Sequence, residues 1–253
     1  MLALERQKRI LSLLGTEGVV MVSKLSAELG VTEETVRRDL EKLEAKELLR
    51  RTHGGALPMD ESNYEFSLEK RKGLHVEVKQ ALARKAAQHI ATGDIVFLDA
   101  STTTFYLAKE IKNMKNITVI TNSIRVINEL CGIEGIKVIA VGGIVSANQS
   151  LIGSATENEI AENYFADKMF FSSRGIGDNA VILEGNEQEC FVKRSMMKNA
   201  RIHYYLCDKS KIGKVGYRRL ASFNEVEYLV TDATVTNTLK AVLEESGTKI
   251  IPV

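Results

Sequence analysis

Cysteine is scarce. The 253-residue chain has three, Cys131, Cys190 and Cys207, far apart and with no C-x-x-C. An odd, scattered set excludes a disulfide-stapled framework and fits free thiols in a reducing cytoplasm. Histidine is equally sparse, with four dispersed residues, so neither a metal site nor a metal cofactor is expected. No apolar run is long enough to cross a bilayer. The opening MLALERQKRI is charged and amphipathic and lacks an apolar signal core. The expectation is a soluble cytoplasmic chain with no membrane partner. An excess of charge of one sign is also missing, since the formal net charge is +1. Overall charge therefore announces no nucleic-acid partner, and any such reading must rest on local clustering. There is no internal repeat, no low-complexity segment, and no G-x-G-x-x-G or phosphate-loop lysine motif of a nucleotide-binding module.

What is present is apolar material, 44% of residues, enough for one large domain or one large and one small. The first part reads as three short helices and a hairpin. Ile10, Leu13 and Leu14 sit at helical spacing, with Gly15 and Gly18 ending that segment. A second helix over about 22–29 carries Leu25 and Leu29 inward, and Gly30-Val31 turns the chain. Thr32 can cap a third helix with Glu33 and Glu34 in its first turn and a Val36–Leu40–Leu43 stripe. RRTHGGA then looks like a hairpin with glycines at its tip or exit.

Two helices joined by a glycine turn are the helix-turn-helix pattern, whose second helix lies in the DNA major groove. If Val36, Leu40 and Leu43 face the core, Glu34, Thr35 and Arg38 face away, with Arg37 on the flank. An arginine there can read a guanine edge or clamp a phosphate. Arg50, Arg51 and His53 on the hairpin would flank the phosphate backbone. The plainer alternative is a solvated helix whose arginines pair with Asp39, Glu41 and Glu44.

Residues 58–76 are polar, contain Pro58 and Gly73, and read as a connector. From about Val76, apolar runs alternate with amphipathic helical segments. The runs are IVFLD (95–99), ITVIT (117–121), KVIAV (137–141), KMFFS (168–172), IHYYLC (202–207) and EYLVTD (227–232). Such alternation predicts a mostly parallel sheet covered on both faces. Polar residues gather after these runs, where open parallel sheets bind ligands. Ser101, Thr102 and Thr103 open a helix and suit a phosphate, although hydroxyls also serve there as plain caps. Gly142-Gly143 allows close approach of backbone to a ligand, or simply a turn. Lys211 can neutralise an anion, and Asp99 and Asp208 can accept from sugar hydroxyls or cap loops.

The stretches ERQKRIL, LSAELGVTEETVRRDLEKLE and LLRRTHGGA resemble the winged helix-turn-helix of DeoR-family transcriptional repressors. The resemblance continues through LDASTTTFYLAKEI, ITVITNS, VGG followed by SLIG, DKMFF followed by RGI, and CDKSKIG followed by VTD, which are similar to the family's effector domain. It implies a winged helix-turn-helix over 1–57, a linker over 58–76, and an α/β sensing and oligomerisation domain over 77–253, similar in fold to ribose-5-phosphate isomerase. It further implies operator DNA as partner, contacted by Thr32, Glu34, Thr35, Arg37, Arg38, Arg50, Arg51 and His53. A phosphorylated sugar would be held by Asp99, Ser101, Thr102, Thr103, Asn122, Gly142, Gly143, Asp208 and Lys211. Lys79 matches a recurrent family lysine, and Arg174 stands where many members have a small residue, a second cation if it points inward. A homodimer or homotetramer would match two half-sites, and operator binding would place the chain on the nucleoid.

Besides Arg174, three departures from the family pattern are visible: Met21 stands where many members have a Ser or Thr helix cap, Ser101 where many have glycine, and the segment after Gly177 lacks the family's usual glycine near Ala180 or Val181. The expectation is a non-enzymatic repressor of a carbohydrate operon. The alternative is an isomerase-like enzyme with an appended helix-turn-helix, for which Asp99, Asp208 and Glu184 are the available carboxylates.

Overall fold

The computed structural model describes residues 3–17, 20–46, 48–52, 54–57, 68–177, 179–214 and 216–253, and the chain divides into two compact units, Met1–Tyr64 and Glu65–Val253.

The first unit contains α1 (Ala3–Glu17), β1 (Val20–Met21), α2 (Val22–Leu29), α3 (Glu33–Glu44), β2 (Arg50–Thr52) and β3 (Gly55–Leu57). Ile10, Leu14, Leu25, Leu29, Val36, Leu40, Leu43 and Leu49 close one core. Of the two glycines expected to end the first helix, Gly15 lies inside α1, which ends at Glu17, one residue before Gly18. A glycine inside a helix costs only about 1 kcal/mol, which the buried Ile10–Leu13–Leu14 stripe outweighs. Gly30, at φ 63°, ends α2 in the left-handed conformation that glycine adopts freely. The Ser26 hydroxyl fastens the turn by donating to Val31 O at 2.6 Å. Met21 occupies the N-cap of α2 and supplies no side-chain bond, while Thr32 caps α3 by accepting from Thr35 N. The hairpin β2–β3 is antiparallel and continues onto β1. Gly55 is required there: a Cβ would sit 1.9 Å from Val20 O.

The second unit begins with α4 (Leu68–Gly73), so part of the stretch read as connector is helical, with Leu68 buried. A six-residue helix is too short to show its period in a charged stretch. There follow α5 (Val76–Ala87), β4 (Ile95–Leu98), α6 (Thr102–Glu110), β5 (Ile117–Thr121), α7 (Ile124–Leu130), β6 (Ile136–Ala140), β7 (Ile144–Val145), β8 (Leu151–Ile152) and α8 (Ser154–Asn163). The chain continues through β9 (Ala166–Phe171), β10 (Gly175–Ile176), β11 (Ile182–Glu184), α9 (Glu187–Lys198), β12 (Ala200–Leu206), β13 (Arg218–Ala221), β14 (Tyr228–Thr231), α10 (Asn237–Ser246) and β15 (Lys249–Pro252).

Seven strands form one parallel sheet in the order β15-β14-β12-β9-β4-β5-β6. Six were expected; β15 is an added edge strand, ending at Pro252, a residue edges tolerate. Alternate residues serve opposite faces. Val96, Leu98, Val119, Phe170, Tyr204 and Leu206 pack with α5, α6 and α7. Phe97, Ile120, Met169, Phe171 and Tyr205 pack with α8, α9 and α10. The strand order reverses at β4, which pairs with β5 on one side and with β9 on the other. That is the switch point at which parallel sheets open a crevice beyond their carboxyl ends. A small antiparallel sheet, β10-β11-β13, and the β7–β8 hairpin complete the unit.

Candidate functional site

In the first unit, α3 buries Val36, Leu40 and Leu43 and turns Arg37 and Arg38 outward. Their side chains are 47% and 72% exposed and pair with Glu33 (2.9 Å) and Glu34 (3.2 Å) one turn earlier. The pairing thus differs from the alternative drawn from sequence, in which Asp39, Glu41 and Glu44 hold the arginines. Asp39 is buried and bound to Arg6 and Gln7 of α1, tying the helices together. Exposed i,i+4 pairs contribute only a few tenths of a kcal/mol, so Arg37 and Arg38 are free to exchange their glutamates for a stronger acceptor. Thr35 is half-buried, its hydroxyl 2.9 Å from that of Thr32. On the hairpin, Arg51 is held by Glu41 at 2.8 Å. Arg50 is exposed and makes no ion pair among the described residues. His53 lies outside the described residues.

In the second unit, Asp99 ends β4 at the switch point and is fully buried. One carboxylate oxygen accepts from Ser101 N (3.1 Å) and Thr104 Oγ1 (2.7 Å). The other accepts from Ser172 N (3.2 Å) and lies 3.2 Å from Lys193 Nζ. Asp99 therefore splices the ends of β4 and β9 instead of presenting a lone pair outward. Ser101 caps α6 at φ −70°, so the position needs no glycine and the extra hydroxyl is used within the chain. Thr102 and Thr103 are buried, and Thr103 Oγ1 has no hydrogen-bond partner among the described residues.

Lys193 of α9 was not singled out in the sequence. It is buried, bonds to Glu184, and donates to Ser172 O at 2.8 Å. Burial works against its charge, but Glu184, Asp99 and Glu189 outweigh that and raise its pKa above the ordinary lysine value. Ser172 is thereby a hub: its hydroxyl also accepts from Lys211 Nζ at 2.6 Å, which donates in addition to Ser173 O at 2.8 Å. Asp208 caps the 3-10 turn Lys209–Lys211, accepting from Ser210 N at 3.0 Å.

Lys79 on α5 is buried and donates to Arg71 O of α4 at 2.6 Å. Burial, and next the charge of Lys211, bring its pKa down to about 8. Arg174 is half-buried. Asn122, beyond β5, donates to Leu151 O at 3.1 Å, and its Oδ1 is buried without a partner among the described residues. Gly142 N donates to Glu159 at 2.6 Å. At Gly143 a Cβ would lie 2.0 Å from Thr156 Oγ1, so α8 itself demands the glycine. Asp99, Ser101 and Lys211 thus join through Ser172, and Lys79 shares a field with Lys211 and Asp208. Asn122 and the two glycines bind instead to β8 and α8.

A helix-turn-helix with a hairpin beside it, and a second unit whose parallel-sheet switch point is lined by Asp99, Lys193 and Lys211, have the form of a two-part regulator. Residues 6–62 match the DeoR-like helix-turn-helix domain, and residues 74–233 match the DeoR C terminal sensor domain. The chain is 35% identical to the uncharacterized HTH-type transcriptional regulator YulB of Bacillus subtilis, covering all of this chain and 98% of that one. It is 36% identical to the lactose phosphotransferase system repressor of Streptococcus mutans, over 90% of this chain and 91% of that one. It is 32% identical to the glycerol-3-phosphate regulon repressor of Escherichia coli, over 90% of each. This chain belongs to the DeoR family of transcriptional regulators. A ribose 5-phosphate isomerase A from Methanocaldococcus jannaschii aligns over 54% of each chain with 15% identity and a TM-score of 0.41. No described helix is long and apolar enough to cross a membrane.

Proposed function

We propose that the chain represses a carbohydrate operon and leaves its operator when a phosphorylated sugar or related metabolite binds the second unit. The DNA side rests on one observation: α3 keeps its apolar stripe buried while Arg37 and Arg38 stand exposed, held only by weak glutamate pairs. Arg38 reads a base edge, and Arg50 and Arg51 meet phosphates. A homodimer or homotetramer would place two such helices on two half-sites.

The effector side is supported by Lys211 and Lys79, and by Thr103 Oγ1 and Asn122 Oδ1, which are buried without partners among the described residues. A buried polar atom without a partner calls for one, and a hydroxylated anion supplies donors, acceptors and charge together. Two relatives whose names refer to lactose and glycerol 3-phosphate systems point the same way. An isomerase needs a carboxylate free to take a proton, whereas Asp99 and Glu184 are both committed to Lys193 and Asp208 caps the turn at Ser210.

The test is selection of bound duplexes from random-sequence DNA, followed by titration at several salt concentrations. A recovered motif with two half-sites, and affinity falling with salt, is the expected result. Recovery of no motif would remove the regulator's DNA assignment to α3.

A further inference from the structure

Lys79 is satisfied unlike any other buried lysine in the second unit. Its side chain is only 3% exposed, yet its one hydrogen bond among the described residues goes to a backbone carbonyl, Arg71 O. An ammonium carries three donors, so two remain. Four charged groups act on it: Lys211 and Asp208 at the turn after β12, Arg71 on α4, and Arg125 on α7. Three of these four are cations, and the one anion, Asp208, spends an oxygen on Ser210. Lys193 supplies the contrast, since two carboxylates hold it. Lys79 is thus a buried cation with spare donors in the field of another cation, Lys211. An arriving anion would relieve that repulsion and compete with the α4 carbonyl for the same ammonium, because a charged acceptor outbids a neutral one.

We propose that Lys79 is a latch between the anion site and α4: in the free chain its ammonium fastens the Arg71 carbonyl, and an anion seated beside Lys211 draws it away and releases α4. The proposal rests on the anion site described above. It gives the ligand a differential contact in two states, which any ligand-driven switch requires. Helix α4 is the first of the second unit, and the chain runs from it toward the DNA-binding unit.

The lowered pKa adds a readout that a merely structural lysine would not give. At pH 8 about half of the Lys79 population is protonated when its pKa is about 8. An anion favours the charged form, so binding takes up protons, up to roughly half of one per site. The test uses the full chain with sulfate as probe, because sulfate does not itself titrate near pH 8. Calorimetry in buffers of different ionisation enthalpy measures affinity and proton uptake, and hydrogen–deuterium exchange follows residues 68–73. In the wild type, sulfate should bind with proton uptake, and α4 exchange should rise several-fold. Lys79→Met should exchange fast without sulfate and take up no proton; Lys79→Arg should keep the sulfate response without the uptake. Lys211→Met should need far more sulfate and keep α4 protected below that concentration. Sulfate binding to the wild type with α4 exchange unchanged, or without proton uptake, overturns the latch alone. Failure of sulfate to bind the wild type overturns the anion site and the latch together. If Lys79→Met does not fold, judged by circular dichroism, the wild-type uptake and the Lys79→Arg response still decide.

Discussion

Arg38 and Arg50 carry the same charge and are expected to do different work. Arg38 projects from α3 opposite the buried Val36–Leu40–Leu43 stripe; Arg50 lies on the hairpin with no ion pair to give up among the described residues. Arg38→Ala should cost about 1–3 kcal/mol on selected operator and little on random duplex. Arg50→Ala should weaken both DNAs alike and lower the salt slope by about one. Gel-shift titration on both DNAs separates them, and equal losses for Arg38→Ala would remove its base contact. Lys193 gives the other prediction at this scale. It is a buried cation between Glu184 and Asp99, so Lys193→Met strands two carboxylates. Unfolding by urea should show a loss of about 3–5 kcal/mol. A loss under about 1 kcal/mol would mean those carboxylates find other partners.

At the scale of elements, α2 is the weak start in the DNA-binding unit. Its N-cap is Met21, 49% exposed and without a capping bond, whereas α3 is capped by Thr32. Met21→Ser should stabilise α2 by about 1 kcal/mol, seen as slower amide exchange across 22–29 in the full chain. Unchanged exchange there would show that the β1 pairing already holds the helix start. Helices α2 and α3 were legible in the sequence because glycine, cap and apolar stripe all agree there. The six expected strands were legible because their runs are apolar, rich in Val, Ile, Phe and Tyr, and lie between helical patterns. The seventh, β15, is KIIP, with only two apolar residues before a proline. The strands β10, β11 and β13 take their form from each other, not from local pattern. Among site residues, the strand-end polar groups were visible, but the Glu184–Lys193–Asp99 knot was not: lysine on an amphipathic helix looks solvated until the fold brings distant carboxylates to it. The missing glycine near 180 has a counterpart in Ala180, held at φ 52°, a conformation in which a side chain is strained.

At the scale of the whole molecule, two units share one chain and divide two tasks. The helix-turn-helix match falls on 6–62 and the sensor-domain match on 74–233. A ligand that binds only the folded second unit should raise its stability by about 2.7 kcal/mol at a hundredfold excess over Kd. It changes DNA affinity only by as much as it distinguishes the DNA-competent arrangement from the other. The unphosphorylated sugar should do little, since Lys211 and Lys79 act on charge. The most direct test is fluorescence anisotropy of labelled operator, titrated with a panel of sugar phosphates including glycerol 3-phosphate, for wild type and Lys211→Met. The wild type should release operator with at least one member of the panel; Lys211→Met should bind operator equally well and require at least about tenfold more of that ligand, equivalent to about 1.4 kcal/mol. Release of the variant at the wild-type ligand concentration, or loss of its operator binding, would contradict the division of labour between the two units.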